Sequence, residues 1–515
     1  MTPSDFNNVL CIIQKITNEA GLNLFLQLSP TALLKCQVFF ARMVINNIES
    51  QSCRSELKSF YLSHLEKKVS VLHYLKLLKL ILLAFFIYIQ SLFSWFFLRF
   101  IYKITHLQTI TGSKNSCSQF KYVGIVTPHG LPKLSLLDKF FPPEKTGIAC
   151  IYTNKIFNLI DGKKKYSPQG ITPFFLPPVF TPFKLFFRML SYCISSGIYI
   201  HLACEKCLSN YIFNTKTSFE IQQLVLKSFI YQHWGKMMSK RIDRFFPDTL
   251  FFFEDDFIGK QLMLAEELNK LERQTVQIQH GTLLEPRYYS PLCKWMLCCS
   301  EREKKLLIQA GIEENRLFIM GAPLQIIPDV ISSDHFPKKY EILILAGQGT
   351  RELQYFYTQM LIQSKLIQSC TKGLLRTHPV FTQDENNLWM NSVPRFNRIP
   401  GSTLMMDIAQ ADLIVTFSLD AMIPCLWRGK KIILCYNPYH ESLDFVKEIP
   451  FTKLATQKDE LDKAILEFSN ISEQMHTQSI SHHLIDRFFG TCDIFRIKSN
   501  IENFLLHLNN YKIAV

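Results

Sequence analysis

Thr249-Leu250-Phe251-Phe252-Phe253-Glu254-Asp255-Asp256 decides how the rest of the chain is read. A nearly unbroken apolar run ends abruptly in three carboxylates. A strand without polar alternation is buried on both faces, as in a parallel sheet covered by helices. Moving outward, runs of the same kind occupy Tyr122–Val126, Gly147–Tyr152 and Ile198–Ala203 before it and Val276–Gln279 and Trp295–Cys299 after it. The pattern restarts beyond Phe318 with Ile342–Ala346, Leu374–Thr377, Leu413–Thr416 and Ile432–Tyr436. Helical patterns separate these runs. The fold expected is therefore α/β: two Rossmann-like, doubly wound domains facing a cleft, with a helical segment in front. The boundaries predicted are 1–117, 118–322 and 323–515, the last domain closing with C-terminal helices.

The whole chain of 515 residues and 60.1 kDa is too long for one compact core. Its 48% hydrophobic and 19% charged residues exclude a disordered chain, and 19 Gly with 23 Pro exclude a collagen-like or linker-dominated one. A formal net charge of +14 implies affinity for something anionic, whether nucleotide, phospholipid or nucleic acid. The fifteen cysteines show no framework of repeated spacings and read as reduced intracellular thiols. Cys204 and Cys207 form one Cys-x-x-Cys without a second pair at zinc spacing, so no metal site is expected.

The positive charge is uneven. Residues 1–120 hold 12 Lys and Arg against 5 Asp and Glu, half the net charge in under a quarter of the length. It lies beside an apolar run, Leu80–Leu98, whose polar members are Gln90, Ser91 and Ser94, bracketed by Lys76, Lys79, Arg99 and Lys103. On a helix Lys76, Lys79, Gln90, Ser91 and Ser94 gather on about a third of the circumference, leaving an apolar face rich in Phe. Residues 76–103 are thus expected to lie in a membrane interface, with a single span and an ordinary buried helix as the alternatives. The first 30 residues lack the pattern of a cleavable signal, so the protein is expected to be cytoplasmic and peripheral to the inner membrane face. Nucleic acid is the weaker partner, because no binding motif accompanies the charge.

In doubly wound sheets ligands bind beyond the carboxyl ends of the strands. Glu254, Asp255 and Asp256 stand at one such end. Their mutual repulsion would raise one pKa toward that of a general base, unless they merely cap the next helix. Gln279-His280-Gly281-Thr282 stands at another, where His280 is either an acid-base group or a structural hydrogen-bonding residue. In Leu375-Arg376-Thr377-His378-Pro379 the alternation places Arg376 and His378 on one face, suited to a phosphate or else a surface pair. In Val415-Thr416-Phe417-Ser418, Ser418 opens a helix whose N-terminus favours an anion, or is a plain cap. Gly347-Gln348-Gly349-Thr350 is a further phosphate-loop candidate, with a flexible turn as the alternative.

Taken in order, Gln279-His280-Gly281-Thr282-Leu283-Leu284, Ser300-Glu301-Arg302-Glu303, Gly321-Ala322-Pro323, Arg376-Thr377-His378-Pro379, Phe417-Ser418-Leu419-Asp420 and Gly429-Lys430-Lys431-Ile432-Ile433 resemble the CDP-glycerol glycerophosphotransferases and the related bacterial capsule polysialyltransferases. The resemblance covers about residues 245–440. It implies the two-domain GT-B fold, an acceptor domain followed by a donor domain, and metal-independent transfer of a sugar or polyol phosphate from a nucleotide donor, cytidine being expected. The acceptor would be a hydroxyl on a surface glycan or lipid-linked precursor, as in capsule or lipopolysaccharide biosynthesis. By the same resemblance His378 and Ser418 would hold the donor phosphates with Arg376 beside them, and the strand-end reading adds Thr416, Gly347 and Gly349 to that expected site. His280 and one of Glu254, Asp255 and Asp256 would be catalytic. No cofactor beyond the donor is implied. The chain departs from the family in having Gln279 where Trp is usual, Phe417 before Ser418 where two serines are usual, and a third acid followed by Phe257. The rival expectations are a non-hydrolysing sugar-nucleotide epimerase and a noncatalytic membrane-associated protein of the same fold.

Overall fold

The structure, a computed structural model, describes residues 3–19, 33–34, 36–37, 40–41, 69–104, 120–126, 140–151, 172–197, 200, 215–253, 259–279, 292–309, 311–322, 339–347, 351–378, 381–399, 402–436, 443–470, 482–491 and 493–514. Seven strands build the first sheet: β1 (Tyr122–Val126), β2 (Thr146–Ile151), β3 (Thr172–Leu176), β4 (Leu250–Phe253), β5 (Thr275–Ile278), β6 (Trp295–Cys298) and β7 (Leu317–Ile319). They lie in the order β3-β2-β1-β4-β5-β6-β7 and every pairing is parallel. β4 is buried along its whole length, as its apolar sequence requires. The second sheet takes β8 (Tyr340–Leu345), β9 (Gly373–Arg376), β10 (Ala411–Thr416), β11 (Lys431–Cys435) and β12 (Thr452–Ala455) in the order β12-β11-β10-β8-β9, again all parallel. The two-sheet α/β architecture read from the apolar runs is therefore present.

The differences fall at sheet edges. Of the strand expected at Ile198–Ala203 only Ile200 is described, and it is helical; 198, 199 and 201–203 lie outside the described residues, and Cys193–Gly197 before them is π-helical. The edge is instead β3, whose Pro173 has no N–H to donate and so suits a strand paired on one side only. β7 and β12, which the apolar runs do not mark, are the opposite edge of the first sheet and an edge of the second.

The two halves of the chain are joined twice. Gly321 and Ala322 leave the first sheet, and Gly490 and Thr491 return to it, with Ala322 N–H donating to the Thr491 carbonyl at 2.8 Å. Both glycines have positive φ, +111° and +89°. The final helix, Ile494–Ala514, follows the second sheet in the chain but packs on the first, burying Ile497, Ile501 and Phe504 in that core, while Asn500 donates to the Met320 carbonyl at 3.2 Å. Ser300 caps the helix Glu301–Gln309 by accepting from Glu303 N–H at 3.3 Å, and its hydroxyl donates to the Phe488 carbonyl at 3.0 Å. Arg302 lies over the Phe445 ring at 3.9 Å. Gly311, at φ +90°, follows that helix as the left-handed terminator its sequence announces.

Ahead of the first sheet, Ile13 and Ile16 of the helix Pro3–Glu19 join its core. The apolar run forms the helix Val69–Ile104, of which Lys76–Leu98 is long and apolar enough to cross a membrane by length and composition, at mean hydropathy 2.1. One face of it packs on the first lobe through Leu80, Ala84 and Ile87.

Candidate active site at the strand ends

The order of the second sheet reverses direction between β8 and β10, since β9 lies on one side of β8 and the later strands on the other. Such a switch point opens a crevice at the carboxyl edge where ligands bind. Register fixes what stands there. Leu345 of β8 pairs with Arg376 of β9 and with Thr416 of β10, so the three strand ends are level. Two residues further along come Gly347 on the central strand, His378 on one side and Ser418 on the other. With neighbouring strands about 4.8 Å apart, the backbones of His378 and Ser418 flank Gly347 roughly 10 Å from each other. Sequence separations of 31 and 71 residues are thereby closed into one crevice.

Gly347 is required by its surroundings. A Cβ there would lie 2.5 Å from the Phe417 carbonyl oxygen and 2.8 Å from the Phe417 Cβ. The absent side chain lets the β8 end close on the β10 end and leaves backbone, not a methyl group, at the switch point. Phe417 is pinned below it in the core, with its ring centroid 4.7 Å from Tyr357 and 5.0 Å from Trp389. That burial explains why an aromatic residue is accommodated beside Ser418.

Ser418 is the N-cap position of the helix Leu419–Trp427, yet its side chain makes no capping hydrogen bond. Its N–H instead donates to Thr416 Oγ1 at 3.3 Å, and the Thr416 hydroxyl donates to the Ser418 carbonyl at 3.2 Å. Thr416 is fully buried, so it holds the turn and offers nothing to a ligand. The Ser418 hydroxyl has no hydrogen-bond partner among the described residues and sits beside the uncapped positive end of a nine-residue helix.

Burial pushes the His378 imidazole below its ordinary value of 6.5, so it is neutral at pH 7. In that form one ring nitrogen carries a proton to donate. Arg376 does not point to a free guanidinium as expected: its Nη1 donates to Asp407 Oδ2 at 2.6 Å and to the Ser402 carbonyl at 3.1 Å. Asp407 is buried, on the short helix Leu404–Ala409 that Thr403 caps, and its carboxylate offsets much of the arginine charge. Arg376 Nε and Nη2 make no hydrogen bond among the described residues. Asp407 was not singled out in the sequence, because a lone acid carries no signal until the fold brings an arginine to it.

The first sheet reverses between β1 and β4. The acids Glu254, Asp255 and Asp256 follow the end of β4 and His280 follows β5, with Phe253 and Gln277 in register. These four residues, like Gly349, lie outside the described residues. Gln279, just before His280, is buried; its Oε1 accepts from Cys299 N–H at 3.0 Å and its own N–H donates to the Leu297 carbonyl. It clamps the end of β5 to that of β6.

Lys260 opens the helix Lys260–Lys270 after the acidic cluster and was missed in the sequence. Its Nζ lies 5.7 Å from the Tyr231 ring centroid, and burial pushes the ammonium down from 10.5 to about 7. Between those values the unfolded chain binds a proton that the folded one does not, so this lysine weakens the fold most at pH 7 and below and ceases to do so near pH 10.5. Urea melts should therefore show Lys260→Met more stable than wild type near pH 7, with the gap closing by about pH 10. Parallel stabilities across that range would contradict it.

Among the described residues no group of three or more His, Cys, Asp and Glu is placed to hold a metal, and burial pushes the Cys298, Cys425 and Cys435 thiols well up. Cys204 and Cys207 lie outside the described residues.

These features define a two-lobed α/β protein with an anion-suited crevice at the carboxyl edge of its second sheet. No protein-family model and no curated protein matches the chain. Among solved structures it is similar to a glycosyltransferase from Rickettsia africae ESF-5, at 10% identity and TM-score 0.47, covering 76% of this chain and 99% of that one. It is also similar to a putative UDP-N-acetylglucosamine 2-epimerase from Listeria monocytogenes, at 11% identity and TM-score 0.46, covering 76% and 96%. A third is the UDP-GlcNAc 2-epimerase from Neisseria meningitidis bound to UDP-GlcNAc, at 11% identity and TM-score 0.43, covering 75% and 100%. Likeness at this level carries no argument about chemistry, which stands on the residues of this chain.

Proposed function

We propose that the protein is a transferase that moves a sugar or polyol phosphate from a nucleotide donor, with cytidine the expected base, to a hydroxyl of a glycan or lipid-linked acceptor at the inner membrane face. The observation that carries this reading is the level row His378, Gly347 and Ser418 at the switch point, with an unengaged hydroxyl beside a helix N-terminus. Negative charge grows on the departing nucleotide as its bond to the transferred group breaks. Ser418 Oγ–H, the first N–H groups of the helix Leu419–Trp427 and the neutral His378 N–H are fixed donors for that charge and need no reorganisation. Arg376, half neutralised by Asp407, orients a phosphate through its remaining N–H groups. His280 or one of Glu254, Asp255 and Asp256 would take the acceptor proton, so no metal enters the scheme.

A thermal-shift panel with CMP, CDP, UDP and GDP tests the donor half. A nucleotide at a hundred times its Kd stabilises by about 2.7 kcal/mol, which is about 5–10 °C in melting temperature for lobes of this size. The cytidine nucleotides are expected to shift it most. No shift with any of the four would sink the reading, and conversion of a nucleotide sugar without acceptor would make the protein an epimerase.

A further inference from the structure

The helix Val69–Ile104 has two apolar faces, and only one of them is covered. Leu80, Ala84, Ile87 and Leu98 turn into the first lobe, while Leu78, Leu82, Phe85, Ile89, Phe93 and Phe96 recur every three or four residues on the open side. That stripe runs about 27 Å at 1.5 Å per residue. A second element continues it. The segment from Phe180 through the helix Phe183–Tyr192 leaves Phe180 50%, Phe183 58% and Phe187 57% exposed. The two elements are bound together: Tyr88 donates to the Thr181 carbonyl at 3.3 Å, Ser91 Oγ and Thr181 Oγ1 are 2.7 Å apart, Phe85 meets Phe186 at 6.1 Å, and Trp95 meets Phe180 at 5.2 Å. With Phe86 and Phe97, eight phenylalanines in these two elements are more than a third exposed. At about 100 Å² of open ring each, they expose on the order of 800 Å², beyond the few hundred typical of a soluble monomer.

Charge says what covers this face. Neither element contains a single Asp or Glu, and the charged side chains described on the open side of them are Lys76, Lys79 and Lys184. His233, whose ring nitrogen lies 3.0 Å from the Phe180 carbonyl, has its pKa lowered first by burial and then by the nearby charges of Lys184 and Lys236. An apolar aromatic surface with a purely cationic rim is complementary to an anionic lipid interface. We infer that Phe180–Tyr192 and Val69–Ile104 form one platform that lies in the plane of an anionic bilayer, with the helix fixed along its length to the first lobe. This rests on the membrane location in the proposed function but not on its chemistry. A transmembrane course is incompatible with the packing, because the face bearing Leu80, Tyr88, Ser91 and Leu98 is committed to the lobe from one end of the apolar run to the other. The Ser91 hydroxyl, expected on a wet stripe, is turned to protein.

The test uses the full chain and the double variant Phe183→Asp/Phe187→Asp, with Phe93→Asp/Phe96→Asp on the other element as the second variant. Wild type is expected to sediment with vesicles of phosphatidylglycerol and phosphatidylcholine in equal parts, to bind pure phosphatidylcholine less, and to be released from membranes by alkaline carbonate. Each double variant should lose about tenfold or more of the vesicle binding while staying folded with a melting temperature close to that of wild type, since each replaced ring is more than half exposed and meets chiefly other surface rings. Undiminished binding by the Phe183/Phe187 variant overturns the two-element platform. Resistance to carbonate overturns the in-plane placement. A wild-type dimer in light scattering that the variants dissociate, with no vesicle binding, makes the face an interface between copies and overturns the lipid assignment. Nucleotide thermal shifts should be the same in wild type and variants, so loss of lipid binding with those shifts intact separates this inference from the transfer chemistry.

Discussion

Replacing Gly490 by alanine is expected to lower the melting temperature by about 10 °C. The added Cβ would collide with the Cys299 carbonyl oxygen and lie 2.7 Å from its carbonyl carbon. Both are backbone atoms at the end of β6, and no side-chain rotation relieves the contact. The φ of +89° adds the cost of a left-handed conformation, about 1–2 kcal/mol for a residue with a Cβ. Together these place the loss on the order of 4 kcal/mol, in the range reserved for severe steric conflicts. Gly311→Ala is the control, since Gly311 has φ +90° but nothing within 4 Å of its Cβ position. It should lose only the conformational part. Equal melting temperatures for the two variants would show that Gly490 does not hold the return crossing against Cys299 and Gly321.

His378→Ala is expected to lower transfer about a hundredfold or more, the effect of removing one fixed donor from a developing anion, about 3 kcal/mol. Its melting temperature should stay near that of wild type, because His378 is only half-buried and stands beyond the end of β9. Ser418→Ala should act in the same direction without a stability cost, because its hydroxyl does not cap the helix it precedes. If both variants turn over like wild type in a radiolabelled-donor transfer assay, the crevice at the second switch point is not the donor site. Gly347→Ala differs in kind: its methyl group would collide with the Phe417 backbone, so stability and donor binding should fall together.

The strands legible in the sequence were those buried on both faces. Phe251–Phe253, Met296–Cys298 and Ile432–Cys435 are apolar without alternation, and chain-local chemistry suffices to mark them. The edge strands carried no such mark. Thr172–Leu176 contains a proline, and Thr452–Ala455 has a lysine and two residues that stay half-exposed. They are strands because a neighbour offers them a ladder on one side. Candidate-site residues behaved likewise. His378 and Ser418 were legible because each ends an apolar run, and register then made them level. Arg376 was legible as a strand-end cation, but its partner Asp407 was not, since thirty-one residues separate them and only the second sheet's packing closes that distance.

Taken alone, the amino-acid sequence determined that this chain folds as two parallel, helix-covered sheets, that candidate polar groups stand at the ends of its strands, and that its front segment is basic and apolar. Those properties follow from the identity of consecutive residues. Which face of the helix Val69–Ile104 is covered, that the helix Ile494–Ala514 returns to the first core, and that Gly490 must be a glycine were decided by tertiary structure. Each depends on backbone and side chains that meet across ninety residues or more, and no local pattern encodes which surface another part of the chain will occupy.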